Sequence, residues 1–179
     1  MEISYSPIYC EEGPPELVRL IIEDCENLCL SKTPLFVNAW APDLTYLDIR
    51  FIDDWKPIQE FHQFNLADLT HLTIRSSYKF DSLQCFSNCK NLSHLSLVRF
   101  GKDKQTKFSE SIMANIFPKL KVLSFYTHHS SITLDSLVDL QLFPIDVFCK
   151  SKEIELRVLC EETYHGTLYD GSMLHATPD

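Results

Sequence analysis

Glycine is scarce in this chain, with 4 residues among 179. The four are isolated from one another, at positions 13, 101, 166 and 171, whereas phosphate-binding loops and nucleophile elbows place glycines close together at fixed spacing. The sequence therefore predicts no enzyme activity and no cofactor. So few glycines also leave little room for flexible linkers, and a single domain is expected.

Long apolar runs are absent as well. No stretch approaches the roughly 18 apolar residues that a membrane-spanning helix needs, and residues 1–5 lack the basic and apolar regions of a signal peptide. The chain is nevertheless 45% apolar, which is enough to form a substantial buried core. These features predict a soluble domain located in the cytoplasm or the nucleus.

Basic residues are the minority among the charges, because 16 Lys and Arg stand against 25 Asp and Glu, for a net charge of -9. The acidic excess lies at the ends, where residues 1–31 and 153–179 contain one arginine each, Arg19 and Arg157. The middle of the chain, residues 32–152, has fourteen Lys and Arg against twelve acids. Such a distribution does not suit a phosphate backbone, so neither nucleic acid nor a membrane is an expected partner.

The seven cysteines are an odd number in a chain without an export signal. We therefore expect reduced thiols, mostly buried as small apolar side chains, rather than disulfides. Two pairs have an i, i+4 spacing, Cys25 with Cys29 and Cys85 with Cys89. A zinc site would have to combine both pairs, but they would lie two sheet strands apart, roughly 10 Å or more. No metal site is predicted.

One eight-residue phrase, in contrast, occurs four times. The copies that begin at Asp43 and Asp68 share six of eight residues. Counted from the leading leucine of each copy, apolar residues occupy the first, fourth and sixth places, and this alternation predicts a short strand with those places facing the core. The leading leucines are spaced by 25, 23 and 28 residues, at Leu44, Leu69, Leu92 and Leu120.

Stacking these strands in parallel, about 4.8 Å apart, would bring equivalent places side by side. The third, fifth and seventh places then form three rows on the side opposite the core. We predict that these rows bind a protein partner, because they combine aromatic, histidine and arginine side chains. The predicted binding residues are Tyr46, Asp48, Arg50, His71, Thr73, Arg75, His94, Ser96, Val122, Ser124 and Tyr126.

Two arginines in the seventh row leave two interpretations open. Arg50 and Arg75 would lie side by side and could bind a carboxylate or a phosphate of the partner through paired hydrogen bonds. Alternatively, Asp48 and Glu23 already neutralise them. His71 would lie beside a second histidine in the third row, but a metal would need further ligands there.

The segments between and beyond the four copies are less regular. Helical spacing is expected at 55–62 and 108–117, each after a strand. Residues 17–22 fit either a further strand, 27 residues before Leu44, or an amphipathic helix that begins at Pro15. Residues 134–142 are expected to be a helix followed by a strand at 154–158, although 137–142 also fit a strand.

The phrase and its spacing resemble the leucine-rich repeat family. The resemblance implies an α/β solenoid of about five to six repeats at 17–158, with a curved parallel sheet on the concave side and short helices on the convex side. Residues 1–16 and 159–179 would be terminal extensions or caps, and the concave face would bind proteins. The family's buried asparagine ladder is missing, since its positions hold Ile52, Ser77, Phe100 and His128.

The irregular repeats look most like those that follow F-boxes in ubiquitin-ligase receptors. The resemblance rests on unequal repeat lengths, on Cys89 three places before Leu92, and on a proline-rich start at Pro14. It implies a substrate receptor of an SCF-type ubiquitin ligase with the SCF adaptor as a partner, although no complete F-box is visible. The alternative is a structural subunit that packs through uncapped solenoid ends in a larger complex.

Overall fold

Seven strands form a single parallel sheet in a computed structural model that describes residues 2–4, 16–23, 33–50, 63–75, 83–98, 109–127 and 143–160. Each strand pairs with its neighbours in the chain, so strand order follows sequence order. The strands are β1 (Glu2–Ser4), β2 (Arg19–Glu23), β3 (Tyr46–Arg50), β4 (His71–Arg75), β5 (His94–Val98), β6 (Val122–Thr127) and β7 (Glu155–Cys160).

Short helical segments lie between the strands. Helix α1 spans Thr33–Trp40, a 3-10 turn spans Gln84–Phe86, residues 109–113 are helical, and helix α2 spans Phe143–Ser151. The predicted α/β class with one parallel sheet is confirmed. Among the described residues, none of the helices has the length and apolar content needed to cross a bilayer.

The strand register agrees with the predicted rows. Tyr46 pairs with His71, and His71 pairs with His94, in the third row. Asp48 pairs with Thr73 in the fifth row, and the same offsets continue through β6 and β7. The prediction of which residues lie side by side is therefore confirmed, and it extends by one strand at each end.

The first, fourth and sixth places face the core, as predicted. The fourth-place leucines of β3 to β6 are at most 1% exposed, and the leading leucines Leu44, Leu69 and Leu92 are fully buried. Burial of one such side chain contributes about 1.5–3 kcal/mol to folding. Identical places in successive strands therefore build a continuous apolar layer, because these leucines all belong to one buried cluster.

A repeated backbone arrangement fixes where each strand begins. The N–H groups at the second and third places both donate to the second-place carbonyl of the preceding strand, an arrangement we call the amide fork. Thr45 and Tyr46 donate to Val18, and Thr70 and His71 donate to Thr45, over 2.9–3.1 Å. The forks recur at the next two strands. Strands β3 to β6, which have the forks, accordingly begin at a third place, and β2 and β7 begin at the same place.

Asparagines link the segments that precede the strands. The Asn65 backbone N–H donates to Asn38 Oδ1 over 2.8 Å, and Asn88 Nδ2 donates to Asn65 Oδ1 over 2.6 Å. The Asn38 amide in turn donates to the carbonyl of Gln63 over 2.9 Å. These bonds connect neighbouring turns in the way expected of an asparagine ladder, but at places before the strands. The four positions at which the ladder is missing lie outside the described residues.

Several expectations about the irregular segments can now be compared with the structure. Residues Arg19–Glu23 form strand β2, so the helical interpretation of this region is wrong and the strand interpretation is confirmed. The strand expected at 154–158 is β7. The helix expected at 108–117 is present at 109–113. Residues 55–62 and 134–142 lie outside the described part of the chain. Neither strand β1 nor helix α2 was predicted.

Candidate functional site

Four side chains of the third row form a continuous stack across β2 to β5. The Arg19 guanidinium carbon lies 4.3 Å from the centre of the Tyr46 ring. The centres of the Tyr46 and His71 rings are 6.3 Å apart, and those of His71 and His94 are 4.2 Å apart with only 7° between the ring planes. The stack follows directly from the register, since equivalent places recur at the strand spacing. We call these four residues the stacked row.

The second-place hydroxyls hold both histidine rings. Thr70 Oγ1 lies 2.9 Å from His71 Nδ1, and Ser93 Oγ lies 2.8 Å from His94 Nδ1. The same two oxygens lie 3.1 Å from the second-place carbonyls of Thr45 and Thr70, respectively. Each ring is thereby fixed by its own strand and by the strand before it.

Parallel stacking does not suit a metal shared by the two histidines. Ring nitrogens of two parallel imidazoles point in the same direction, whereas ligands of one ion must converge on it. Among the described residues, there is also no group of three or more His, Cys, Asp or Glu that could hold a metal ion.

Both histidines of the stacked row have a lowered pKa. Partial burial of its ring within the stack lowers the pKa of His71, although the residue as a whole is exposed. Burial also lowers the pKa of His94, as do His71 when it is protonated and the charges of Arg157 and Lys121, while Glu155 opposes them. Since the ordinary histidine pKa is about 6.5 and both shifts are downward, the neutral form of each ring predominates at pH 7. The polar edge of each ring is therefore offered as a hydrogen-bonding group and not as a positive charge.

The tyrosine of the stacked row is equally neutral. Burial raises the pKa of the Tyr46 hydroxyl, and the Asp48 carboxylate raises it further. The row therefore consists of one permanent cation, Arg19, followed by three uncharged rings.

Arg50 belongs to an ion-pair cluster with Glu23 and Asp48. One of its terminal nitrogens lies 2.8 Å from Glu23, and its Nε and other terminal nitrogen lie 3.2 and 3.1 Å from Asp48 Oδ2. The Asp48 side chain is fully buried, and the Arg50 side chain is 18% exposed. The structure thus favours the interpretation in which Asp48 and Glu23 neutralise Arg50. Arg75 lies beside Arg50 and is half-buried.

The eleven predicted binding residues share one side of the sheet but differ in exposure. His71 is exposed. Six side chains are half-buried, namely Tyr46, Arg50, Arg75, His94, Ser96 and Tyr126. Four are buried, namely Asp48, Thr73, Val122 and Ser124.

Those four side chains are therefore not at the accessible surface of the face. Asp48 is covered because the longer Arg50 side chain folds over it, and short side chains such as Ser124 do not extend beyond their larger neighbours. The accessible part of this face is therefore centred on the stacked row.

The last strand adds two residues to the face that the sequence analysis did not include. Glu155 continues the third row after Val122, and Arg157 continues the fifth row after Ser124. The Arg157 guanidinium donates to both carboxylate oxygens of Glu155 over 2.8 Å. The alternation of residues 154–158 contained the signal, because it assigns both side chains to these rows once the strand is aligned with β6.

Three cysteines of the core are chemically quiet. Cys85, Cys89 and Cys149 are buried free thiols. Burial raises the pKa of Cys89 and of Cys149 to about 11 and raises that of Cys85 further. A thiol is nucleophilic only as the thiolate, so these side chains serve packing and not catalysis. Cys25 and Cys29 lie outside the described residues.

Comparisons with known proteins leave the family open. Protein-family models give no match to this chain, and searches of curated proteins and of solved structures give none either. The function is therefore inferred from the chain's own residues.

Proposed function

We propose that this chain is a non-enzymatic protein-interaction module of the leucine-rich repeat type, acting in the cytoplasm or the nucleus. Its partner binds across the stacked row on the predicted concave face of the sheet. The observation that carries the proposal is the stack itself, in which Arg19, Tyr46, His71 and His94 form one strip across four strands.

The stacked row has the chemistry that protein interfaces favour. Tyrosine and arginine are enriched at interfaces, where they combine apolar contact area with hydrogen bonding. The side chains are also ordered before binding, because Thr70 and Ser93 hold the two histidine rings through their hydroxyls. A partner therefore loses little free energy to ordering these side chains.

Affinity purification with a matched pair of variants tests this function. The double variant His71→Ala, His94→Ala truncates the stacked row, whereas Val147→Ala changes an exposed side chain on helix α2. We expect the wild-type chain and Val147→Ala to retain the same proteins, and the double variant to lose them with an unchanged circular dichroism spectrum. Retention of the same proteins by all three would contradict the proposal.

A narrower form of the proposal makes the chain a substrate receptor of an SCF-type ubiquitin ligase. The unequal repeat lengths support it, as does the position of Cys89 three places before Leu92. A receptor must bind the SCF adaptor, so a pull-down with purified adaptor should retain the chain. No retention at micromolar concentrations would remove the receptor role and leave the interaction module intact.

Strand β7 favours a second candidate, a structural subunit that packs through the end of its sheet. Leu156 and Val158 occupy core places but are only half-buried, whereas their counterparts Leu123 and Phe125 in β6 are at most 2% exposed. Another protein or a further repeat could cover them. Light scattering separates the two candidates, because a subunit of this kind should self-associate, and a stable monomer would contradict it.

A further inference from the structure

The hydrogen bonds behind the two histidines determine which ring nitrogen carries the proton. The Thr45 carbonyl already accepts the N–H groups of Thr70 and His71, and the Thr70 carbonyl accepts those of Ser93 and His94. A carbonyl oxygen has two lone pairs, so both are occupied by the amide forks. We therefore infer that the Thr70 and Ser93 hydroxyls donate to the Nδ1 atoms of His71 and His94.

The distances are consistent with the same arrangement. Each hydroxyl oxygen is nearer to the histidine Nδ1, at 2.9 and 2.8 Å, than to the carbonyl oxygen, at 3.1 Å. When the hydroxyl donates to Nδ1, that nitrogen is the acceptor, and the proton of a neutral imidazole must sit on Nε2. Both rings then carry an N–H at Nε2, the nitrogen that contacts no hydroxyl.

Stacking aligns these two donors. The ring centres are 4.2 Å apart with planes within 7° of parallel, and each Nδ1 faces the hydroxyl of its preceding residue. We therefore infer that the two Nε2–H groups lie side by side and point the same way. No hydrogen bond to either Nε2 occurs among the described residues. One acceptor group with two oxygens can satisfy both donors, and a carboxylate, with about four lone-pair sites, is such a group.

The charges around the histidines suit an anion. Lys121 and Arg157 both act on His94, and the one acid that acts on it, Glu155, is held by two hydrogen bonds from Arg157. Arg19 lies at the opposite end of the stacked row. Because Arg157 and Glu155 offset each other, Lys121 near His94 and Arg19 at the far end of the row are the cations that favour an acidic group, which needs no prior protonation of either histidine.

We propose that His71 and His94 form a two-donor site that binds a side-chain carboxylate from an acidic segment of the partner protein. The site rests on the proposed function, which it deepens by naming the chemistry of the partner. It differs from the arginine pair considered from the sequence, because its donors are neutral and lie in the third row, whereas Arg50 is already paired with Glu23 and Asp48.

The tautomer can be measured without any partner. Long-range ¹H–¹⁵N spectra of the labelled chain at pH 7 distinguish protonated from unprotonated imidazole nitrogens, and His71→Phe and His94→Phe assign the signals. We expect a protonated Nε2 and an unprotonated Nδ1 in both rings. A proton on Nδ1 in either ring would overturn the inference, whatever the partner proves to be.

Binding is tested with a capped hexaglutamate peptide at pH 7 and low salt, with a hexaglutamine peptide as the uncharged control. The double variant His71→Phe, His94→Phe keeps two stacked rings but has no donors. We expect hexaglutamate to bind the wild-type chain, hexaglutamine not to bind, and the double variant to lose affinity about tenfold or more. Equal affinity of both chains for hexaglutamate, or no binding to the wild type, would overturn the site.

A second variant guards against misfolding of the phenylalanine pair. Thr70→Val and Ser93→Ala remove the hydroxyls but keep both histidines, so the proton is no longer held on Nε2. We expect weaker hexaglutamate binding and a mixed tautomer signal, and unchanged values of both would contradict the positioning role of the hydroxyls. Inorganic phosphate competing more strongly than acetate would reassign the site to phosphate. If partner capture needs the stacked row while hexaglutamate does not bind, the proposed function stands and this inference fails.

Discussion

Replacing Arg50 by methionine tests whether the ion-pair cluster stabilises the fold. Methionine keeps much of the apolar length of arginine but has no charge and no hydrogen-bond donors. The change leaves Asp48, whose side chain is fully buried, without the two guanidinium contacts at 3.1 and 3.2 Å. It also leaves Glu23 without its bond of 2.8 Å. Removal of one partner from a buried ion pair is costly because the other charge stays desolvated.

The expected magnitude follows from the burial of the two partners. Removing one member of a buried pair costs about 3–5 kcal/mol, and the partial exposure of the Arg50 side chain, 18%, favours the lower end of that range. The pair Arg157–Glu155 is the matched control, because the Glu155 side chain is 56% exposed. For Arg157→Met we expect a loss of about 0–1 kcal/mol, as is typical of exposed pairs.

Urea denaturation followed by circular dichroism measures both variants against the wild type. The double variant Asp48→Asn, Arg50→Met completes the cycle, and it should be destabilised less than the sum of the two single changes, with a coupling of about 0.5–3 kcal/mol. The reasoning is refuted if Arg50→Met loses no more stability than Arg157→Met. In that case Arg50 would be dispensable for folding and would be available to a partner.

Two further predictions concern the core and the histidines. Leu72→Ala should lower the free energy of unfolding, measured by urea denaturation, by about 2–5 kcal/mol because it leaves a cavity. The control is Leu35→Ala on α1, a half-exposed residue, which should lower it by less than about 1 kcal/mol. Similar losses in both variants would contradict the core assignment. Because the folded state lowers the pKa of His71 and His94, the unfolded chain binds more protons below about pH 6.5, so stability should fall as the pH is lowered from 7.5 to 5. The loss of stability between pH 7.5 and 5 should be smaller in the double variant His71→Phe, His94→Phe. An equal loss in the variant and the wild type would contradict this prediction. The charged or titratable groups that act on the two rings include Tyr46, Lys121, Glu155 and Arg157.

The strand register was predictable because the repeated phrase states it directly. Leu47, Leu72 and Leu95 occupy the same place in three copies, and a shift of one residue would turn every leucine to the opposite side. Once the leucines are aligned, the neighbours of each polar residue are fixed as well. The pairing of His71 with His94 therefore follows from counting alone.

What the sequence did not reveal depends on side-chain geometry. The burial of Asp48 results from the direction that Arg50 takes, which spacing does not determine. The tautomer of the histidines depends on the contacts of the Thr70 and Ser93 hydroxyls with the ring nitrogens. Sequence spacing does not give these distances. Helix α2 was not predicted because the helix after the fourth copy was assigned to residues 134–142, whereas α2 begins at Phe143.

The amide forks give the sheet a polarity from one end to the other. In every fork the donors belong to the later strand and the acceptor to the earlier one, as with Ser93 and His94 on Thr70. Shortening the chain from the C-terminal end uncovers a second-place carbonyl oxygen at the fork position, besides the N–H and C=O groups that every strand edge presents. Shortening it from the N-terminal end uncovers a pair of fork N–H groups at that position instead, besides the same edge groups. The two ends of this sheet are therefore unequal places at which to extend, cut or fuse the protein.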